Sequence, residues 1–175
     1  MIQKITILFL TFLGISFSQW AFSQDTASVS DTTVVLPDDT SNTHLVEINR
    51  LIVAAEKHLG TPYRYGGKQP GGFDCSGFVL YCYGSTCGIK LPASATEYTH
   101  YGYPVSRDSA RPGDVICFKG YSTRSSSIGH VGIITEVTPT EIHFIHSASH
   151  GGIRYDKLSQ QYYTTRFMGI RRILR

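Results

Sequence analysis

Cys75 is the residue of this 175-residue chain whose surroundings best suit nucleophilic chemistry. It follows a glycine-rich stretch and stands between Asp74 and Ser76, where a short helix is predicted to begin. The start of a helix carries a partial positive charge and unpaired backbone N–H groups, which stabilise a thiolate and a developing oxyanion. A buried structural thiol is the alternative. It suits Cys82 and Cys117 better, because both lie within apolar runs.

Two histidines are placed to supply and orient the base that a thiol nucleophile needs. His130 stands before one predicted strand, and His146 ends the next. The turn at 138–139 predicts an antiparallel hairpin, which brings both histidines to the same end of neighbouring strands. Cross-strand neighbours lie roughly 5–8 Å apart at Cβ, so His130 could contact Cys75 while His146 fixes the tautomer of the His130 ring.

A metal site is the competing interpretation of the C-terminal histidines. His143, His146 and His150 have the spacing His-x2-His-x3-His. Side chains alternate between the two faces of a strand, so His143 and His146 are expected to point in opposite directions. The sequence therefore favours catalysis, and we expect neither a metal nor another cofactor.

The period of the hydrophobic pattern changes along the segments that must position these side chains. Apolar residues at steps of three and four predict a helix over 45–59, with Gly60 as its C-terminal stop. A second helix is predicted from Cys75 to about Tyr83, and the segment 91–103 is ambiguous. The predicted strands are 115–118, 131–137, 140–146 and 167–174. Helices followed by antiparallel strands indicate an α+β domain.

The N-terminus has the pattern of a secretory signal peptide. Lys4 precedes the apolar run 5–17, and Ala21-Phe22-Ser23 presents small residues on either side of a larger one. The run is shorter than the roughly 20 apolar residues that span a bilayer. We therefore predict a signal peptide over 1–23 and an exported protein of the periplasm, cell envelope or medium. After cleavage we expect no integral membrane segment.

The rest of the composition predicts a linker followed by one basic domain. Residues 24–44 are rich in Ser, Thr and Asp and are assigned to a flexible linker, and 45–175 form the domain. Of the 16 Lys and Arg residues, 15 lie in 45–175, together with 9 of the 13 Asp and Glu residues. This excess suits a polyanionic partner or serves solubility alone, and predicted export argues against nucleic acid. Cys82 and Cys87 are close enough in sequence to pair, although the spacings are not those of a disulfide scaffold.

Six short motifs follow one another in a fixed order. They are 60–67 (GTPYRYGG), 73–78 (FDCSGF), 111–115 (RPGDV), 129–133 (GHVGI), 144–148 (FIHSA) and 169–174 (GIRRIL). Each motif alone is weak. Together they resemble the NlpC family of bacterial cell-wall cysteine peptidases over about 45–175.

The resemblance implies a papain-like α+β core, in which a helix that carries the cysteine packs on an antiparallel sheet that carries both histidines. It also implies hydrolysis of peptidoglycan stem peptides, typically between γ-D-glutamate and a diamino acid such as meso-diaminopimelate. By this likeness Cys75 is the nucleophile, His130 the base and His146 the orienting residue. Tyr63 matches a tyrosine whose hydroxyl helps to hold the oxyanion, although simple loop packing would also explain it.

The roles of Asp74 and Ser76 stay open between substrate binding and structure. Asp74 matches the acid that in some members contacts the amino end of the substrate stem, and it could equally be only a helix cap. Ser76 is a candidate substrate-binding residue that also suits the start of the helix. The polar stretch 120–128 departs from the family pattern and is expected to reshape the rim of the cleft.

Two other functional classes remain possible on the same fold. One is a peptidoglycan-binding module without catalysis, which the intact set of Cys75, His130 and His146 argues against. The other is a different thiol enzyme, an amidase or an acyltransferase, which the sequence does not distinguish from a peptidase.

Overall fold

The computed structural model describes residues 39–174, so the predicted signal peptide and most of the predicted linker lie outside the described residues. Helix α1 (Asp39–Glu56) begins within the segment assigned to the linker and ends before the predicted end at 59. Its buried face includes Ile48, Leu51 and Ala55, whereas Leu45 and Leu59, at the two ends of the predicted helix, are exposed. Within residues 39–174, no helix combines the length and the apolar character that a membrane crossing requires.

A short hairpin leads into the helix that carries the cysteine. Strands β1 (Lys68–Gln69) and β2 (Gly72–Phe73) pair antiparallel, and helix α2 (Cys75–Cys87) follows. It extends beyond the predicted end near Tyr83, and Gly88 closes it in the left-handed conformation at φ 67°. The ambiguous segment that follows holds a 3₁₀ helix (Ala95–Thr99) and the start of strand β3.

An antiparallel sheet of six strands forms the second half of the domain. Its elements, in chain order, are β3 (Tyr103–Val105), a 3₁₀ turn (Arg107–Ser109), β4 (Val115–Lys119), β5 (Ile128–Val137), β6 (Ile142–Ala148), β7 (Gly152–Lys157), helix α3 (Gln161–Thr164) and β8 (Phe167–Arg172). The order across the sheet is β3-β8-β4-β5-β6-β7. All four predicted strands are confirmed with shifted ends. The α+β class is confirmed as well, whereas β3, β7 and α3 were not predicted.

The two faces of the sheet pack in two separate hydrophobic clusters, as alternation along β4 illustrates. Val115 and Cys117 face the cluster that the sheet forms with α1 and α2. Ile116 and Phe118 face a second cluster, which Tyr163 of α3 helps to cover. The strands are therefore buried on both sides, which fixes their register strongly.

Close packing and one buried hydrogen bond fix the start of α2 against the sheet. Ser147 of β6, which is fully buried, donates its hydroxyl to the carbonyl of Phe73 at 2.7 Å. On the loop side, a Cβ at Gly77 would lie 2.0 Å from the carbonyl oxygen of Gly67, so only glycine fits there. The position of Cys75 relative to β5 and β6 depends on these two contacts.

Removal of the Ser147 hydroxyl tests this anchor. Ser147→Ala removes this buried hydrogen bond and leaves the carbonyl of Phe73 with the backbone N–H of Arg64 as its donor. We therefore expect the free energy of unfolding to fall by about 0.5–1.5 kcal/mol. Urea unfolding followed by circular dichroism measures the change. Ser106→Ala is the matched control, because it removes an exposed hydroxyl that bonds only Ser109, and its effect should stay within about 0.5 kcal/mol. An equal loss in both variants would contradict the proposed anchor.

Candidate active site

The Cys75 side chain lies in a cleft at the first residue of α2, and the residue is only 8% exposed. Asp74 caps the helix in front of it. One carboxylate oxygen accepts the N–H of Gly77 at 2.6 Å, and the other accepts the N–H of Gly66 at 2.9 Å. The predicted helix start at the cysteine is therefore confirmed, and the cap joins it to the glycine-rich loop.

Asp74 and Ser76 hold the helix start from outside the cleft. Ser76 is buried and donates its hydroxyl to the carbonyl of Ala93 at 2.9 Å, and its oxygen lies 3.1 Å from the Asp74 carboxylate. Neither residue belongs to the lining of the cleft that contains Cys75. These bonds explain both residues structurally, and their contact with substrate stays a prediction.

The β5–β6 hairpin brings the two candidate histidines into contact. His130 Nε2 and His146 Nδ1 are 2.8 Å apart, and the two rings are perpendicular with centroids 4.9 Å apart. The predicted juxtaposition is therefore confirmed. A β-bulge between Ile134 and Glu136, which the sequence did not indicate, shifts the pairing within the hairpin.

The sulfur of Cys75 lies beside the strand that carries His130. The backbone N–H of Val131, the residue after His130, is close enough to this sulfur to lower the pKa of the thiol. Because Nε2 of His130 is engaged by His146, Nδ1 is the ring nitrogen that remains for the cleft. The geometry therefore offers Nδ1 of His130 as the acceptor for the thiol proton.

An acid that the sequence interpretation missed lies behind the second histidine. Asp156 of β7 is 9% exposed, and its Oδ2 is 2.9 Å from Nε2 of His146. The hydroxyl of Tyr163 on α3 donates to the same oxygen at 2.7 Å, and Nε of Arg154 donates to it at 2.8 Å. A continuous hydrogen-bonded chain thus runs from His130 through His146 to a buried carboxylate.

Asp156 was missed because β7 was missed. Half of the residues of this strand are charged, namely Arg154, Asp156 and Lys157, and its alternation of apolar and polar residues extends only from Ile153 to Asp156. The signal that could have found it is the pair Gly151-Gly152, which is separated from the end of β6 by two residues and is typical of a further hairpin.

The cleft around these groups has a volume of about 680 Å³, in the range of small-molecule and peptide sites. Its charged and aromatic lining residues include Tyr63, Lys119, Tyr121, His150, Arg154, Asp156, Tyr162 and Tyr163. Among the described lining residues, Asp156 is the only carboxylate, and its hydrogen bonds are made within the protein. Lys119 is the last residue of β4, and Tyr121 belongs to the polar stretch 120–128 that departs from the family pattern. Both line the cleft, where the sequence predicted that this stretch would reshape the rim.

Burial determines the charge state of the resting thiol. It raises the pKa of Cys75, the N–H of Val131 opposes this effect, and the Asp74 carboxylate adds to it. The sequence interpretation expected the helix start to stabilise a thiolate, but desolvation outweighs that stabilisation here. The resting nucleophile is therefore the neutral thiol.

Burial acts on the histidines in the opposite sense. It lowers the pKa of His130 well below its ordinary value, and the adjacent His146 lowers it further, while Asp156 raises it. Burial also lowers the pKa of His146, against the hydrogen bond and charge of Asp156. For Asp156 burial would raise the pKa, but the bonds from His146, Tyr163 and Arg154 outweigh it and lower the pKa. In the resting state, the hydrogen-bonded chain therefore consists of two neutral imidazoles and a terminal carboxylate.

Tyr63 also lies at the cleft, as the oxyanion role predicted for it requires. It forms an isolated parallel bridge with Phe73, which holds its backbone next to the start of α2. Burial raises the pKa of its phenol, and the nearby Cys75 and Asp74 raise it further. Its hydroxyl is therefore protonated at neutral pH and can donate a hydrogen bond.

The remaining histidines and cysteines have other partners. His143 faces Glu136 at 3.9 Å on the neighbouring strand, and His146 uses both ring nitrogens on protein groups. Within residues 39–174, no group of three or more His, Cys, Asp or Glu side chains has the arrangement of a metal site. All four cysteines are unpaired, so Cys82 and Cys87 do not form the disulfide that their spacing allowed.

Comparison with known proteins agrees with this geometry. A family model described as "NlpC/P60 family" matches residues 60–172. A solved structure of an NlpC/P60 family protein from Bacillus cereus superposes with a TM-score of 0.66 at 29% identity, over 73% of this chain and 40% of that one. The papain-like α+β fold expected from the sequence is confirmed.

Curated relatives carry the names of hydrolases. The chain is 36% identical over 123 residues to the Bacillus subtilis protein named gamma-DL-glutamyl hydrolase, which covers 70% of this chain and 28% of that protein. It is 34% identical over 115 residues to the Escherichia coli protein named murein DD-endopeptidase MepS/murein LD-carboxypeptidase, over 66% of this chain and 57% of that protein. The chain therefore spans well under two thirds of the length of both relatives.

The lowered pKa of His130 predicts activity that persists in mild acid. His130 accepts a proton only while neutral, and a lowered pKa keeps it neutral to a lower pH. We expect the acid limb of kcat/KM for a peptide substrate to fall below pH 6.5, the ordinary value for histidine. The measurement is a pH profile of kcat/KM from about pH 3 to pH 9. His143→Gln is the control and should leave the limb in place. A limb at or above pH 6.5 would contradict this assignment.

Proposed function

The chain belongs to the NlpC/P60 family, and we propose that it is a cysteine endopeptidase that hydrolyses peptidoglycan stem peptides. Cys75 is the nucleophile, His130 the base and His146 the residue that orients it. The observation that carries the proposal is the placement of Cys75 and His130 in one cleft, with Nε2 of His130 held 2.8 Å from His146. This arrangement leaves Nδ1 free for the thiol proton.

The reaction begins with transfer of the thiol proton to Nδ1 of His130. The Cys75 sulfur attacks the scissile carbonyl, and a carbon–sulfur bond forms. The backbone N–H of Cys75 and the hydroxyl of Tyr63 stabilise the oxyanion. The carbon–nitrogen bond then breaks, and His130 returns the proton to the leaving amine.

Water completes the cycle by hydrolysing the thioester. His130, neutral again, takes a proton from the attacking water. The carbon–sulfur bond breaks, and the proton returns to the Cys75 sulfur while the carboxylic acid product leaves. The cycle needs only groups present in the cleft, because each proton that His130 accepts is released again.

The charge of the cleft supports a substrate that carries carboxylates. Lys119 and Arg154 line it, and the one carboxylate in the described lining is engaged by His146, Tyr163 and Arg154. In the stem peptide, γ-linked D-glutamate keeps a free α-carboxylate beside the proposed scissile bond, and meso-diaminopimelate carries a further free carboxylate at its D-centre. A cationic cleft favours such a chain over a neutral peptide.

The scissile bond that we propose joins γ-D-glutamate to the diamino acid, with meso-diaminopimelate as the expected diamino acid. The resemblance of the motifs supports it, and so does the relative named gamma-DL-glutamyl hydrolase. The name of the Escherichia coli relative, a murein DD-endopeptidase, supports a bond between two D-centres as the second candidate. Both bonds suit the same thiol chemistry, and product masses distinguish them.

Export is part of the proposal because peptidoglycan lies outside the cytoplasm. The predicted signal peptide over 1–23 would deliver the domain to the periplasm, the cell envelope or the medium, and that segment lies outside the described residues. Peptidoglycan is the proposed partner, and nucleic acid is not. Asp74 and Ser76 remain the proposed substrate-binding residues at the start of the helix.

The first test is incubation of purified muropeptides with the mature protein, followed by mass spectrometry. We expect products cut after γ-D-glutamate with the wild type and none with Cys75→Ala, because the sulfur is the attacking atom. Cys87→Ala is the matched control, since Cys87 lies at the far end of α2 and does not line the cleft. Cleavage between two D-centres would replace the proposed bond. Wall binding without cleavage would indicate a binding module, and transfer to an added amine would indicate an acyltransferase.

Loss of the Tyr63 hydroxyl tests its oxyanion role. Tyr63→Phe removes one of two proposed donors, and we expect kcat to fall by about 10²–10³-fold. KM should change little, because the bond strengthens only in the transition state. Tyr65→Phe is the matched control: Tyr65 is 92% exposed and lies outside the cleft lining. Unchanged kcat in Tyr63→Phe would leave this tyrosine a packing role only.

A further inference from the structure

Asp156 ends the hydrogen-bonded chain that begins at His130, and the proposed function assigns it no role. All three of its hydrogen bonds converge on Oδ2, with Nε2 of His146 at 2.9 Å, the Tyr163 hydroxyl at 2.7 Å and Nε of Arg154 at 2.8 Å. A carboxylate oxygen only accepts, so its three partners must donate. Asp156 is therefore held as an anion, with a proton on each neighbouring atom.

This requirement determines the proton positions on both imidazoles. Nε2 of His146 must carry a proton, because an unprotonated nitrogen would face the carboxylate at 2.9 Å as a second acceptor. In the neutral ring Nδ1 of His146 is then an acceptor. His130 must donate to it from Nε2 across 2.8 Å, and this leaves Nδ1 of His130 without a proton.

We propose that Asp156 is a positioning residue that sets the tautomer of His130 through His146 and so keeps Nδ1 of His130 free to take the Cys75 proton. The inference rests on the proposed function of Cys75 and His130. It adds a role for a carboxylate whose hydrogen bonds are all made within the protein. The same charge stabilises the imidazolium that forms on His130 when the thiol proton arrives.

Tyr163 makes the role of Asp156 specific, because it is a competing donor for the same ring nitrogen. Its hydroxyl lies 3.1 Å from Nε2 of His146, but its proton is directed to Asp156 at 2.7 Å. Without the carboxylate, that hydroxyl can donate to Nε2 of His146 instead. His146 would then carry its proton on Nδ1 and donate to His130 Nε2, so the proton of His130 would move to Nδ1.

The inverted state would be inactive, since a protonated Nδ1 on His130 has no lone pair for the Cys75 proton. Asp156 thus selects one of two tautomeric arrangements that His130, His146 and Tyr163 could form. A residue that only stabilised the fold would make no such selection. Removal of the carboxylate should therefore change the tautomers, which removal of a purely structural residue would not do.

Other titratable groups share the cleft with His130 and belong in any measurement against pH. They are Tyr63 in the loop before α2, Cys75 on α2, Lys119 on β4, Tyr121 after it, His146 on β6, His150 after it, Arg154 and Asp156 on β7, Tyr162 and Tyr163 on α3. Of these, His146 and Asp156 act on His130 with opposite signs. Loss of the Asp156 charge should therefore also move the acid limb of kcat/KM to lower pH.

The experiment compares the wild type with Asp156→Ala, Asp156→Asn, Tyr163→Phe and the double variant Asp156→Ala/Tyr163→Phe. Nitrogen-15 NMR of the imidazole rings at neutral pH reports which nitrogen is protonated. The alkylation rate of Cys75 by iodoacetamide, read on the Cys75 peptide by mass spectrometry, reports proton acceptance by His130. Neither readout needs peptidoglycan, and kcat on muropeptides is measured alongside.

We expect both rings of the wild type to be protonated at Nε2 and both rings of Asp156→Ala at Nδ1. A wrong tautomer in a catalytic triad costs about 10⁴-fold in kcat, and with one more ring between acid and base we expect about 10²-fold for Asp156→Ala. Asp156→Asn should keep the tautomer, because three donors hold its carbonyl at the Oδ2 position, and lose about tenfold through the missing charge.

The double variant gives the sharpest outcome. Addition of Tyr163→Phe to Asp156→Ala removes the competing donor, so alkylation and kcat should recover by several-fold, while Tyr163→Phe alone should lower them slightly. Unchanged tautomers in Asp156→Ala, or a double variant weaker than Asp156→Ala, would overturn the proposal. If Asp156→Ala does not fold, the charge effect in the nearly isosteric Asp156→Asn decides: an unchanged acid limb overturns the proposal.

Asp114→Asn is the matched control for removal of a buried carboxylate. Asp114 is 1% exposed and pairs with Arg172 at 2.8 Å, as Asp156 pairs with Arg154, but it does not line the cleft. This control should leave the tautomers and the alkylation rate unchanged. Failure of the wild type to cleave any muropeptide, with alkylation still dependent on Asp156, would reject the proposed substrate and keep the positioning role.

Discussion

The 2.8 Å contact between Nε2 of His130 and Nδ1 of His146 requires that the strands carrying these residues keep one register. A slip of one residue would turn one ring to the opposite face of the sheet and remove the contact. The register is fixed by burial on both faces, with Ile133 and Ile145 paired in one cluster and Phe144 in the other. The orientation of the base therefore depends on the packing of the whole hairpin. The apolar residues of the strands determine where the two histidines lie.

The nucleophile is positioned beside this hairpin by a different element. Cys75 is positioned by the end of a helix, and that end is held by Asp74 on the loop side and by the hydroxyl of Ser147 on the sheet side. Glycine at position 132 gives β6 its close approach, since a Cβ there would lie 3.0 Å from the Cβ of His146. The site is assembled from a rigid helix start and a rigid hairpin, which suits a reaction that depends on alignment of sulfur and ring.

Short motifs with strong local signals were predictable from the sequence. The helix start at Cys75 follows from a capping acid after glycines, and the His130–His146 contact follows from two apolar strands around a short turn. β7 was only weakly indicated, because half of its residues are charged and a glycine pair is the main sign of a further hairpin. In the sequence, Asp156 cannot be distinguished from an ordinary surface acid. Its partners Tyr163 and Arg154 can be recognised only when the fold places α3 beside β7. The direction in which the pKa of Cys75 shifts could not be predicted from the sequence either, because burial depends on the tertiary fold.

Burial of this site creates a requirement that the Cys75–His130 pair cannot meet alone. Desolvation favours the neutral thiol and the neutral imidazole, so formation of the thiolate and imidazolium works against the same packing that aligns them. A fixed negative charge nearby offsets that penalty, because electrostatic interactions are stronger in a poorly solvated interior than in water. Asp156 supplies such a charge, and the bonds from Tyr163 and Arg154 keep it ionised although it is buried. The carboxylate that raises the pKa of the Cys75 thiol is Asp74, whereas Asp156 raises the pKa of His130, so the charge of Asp156 assists the base.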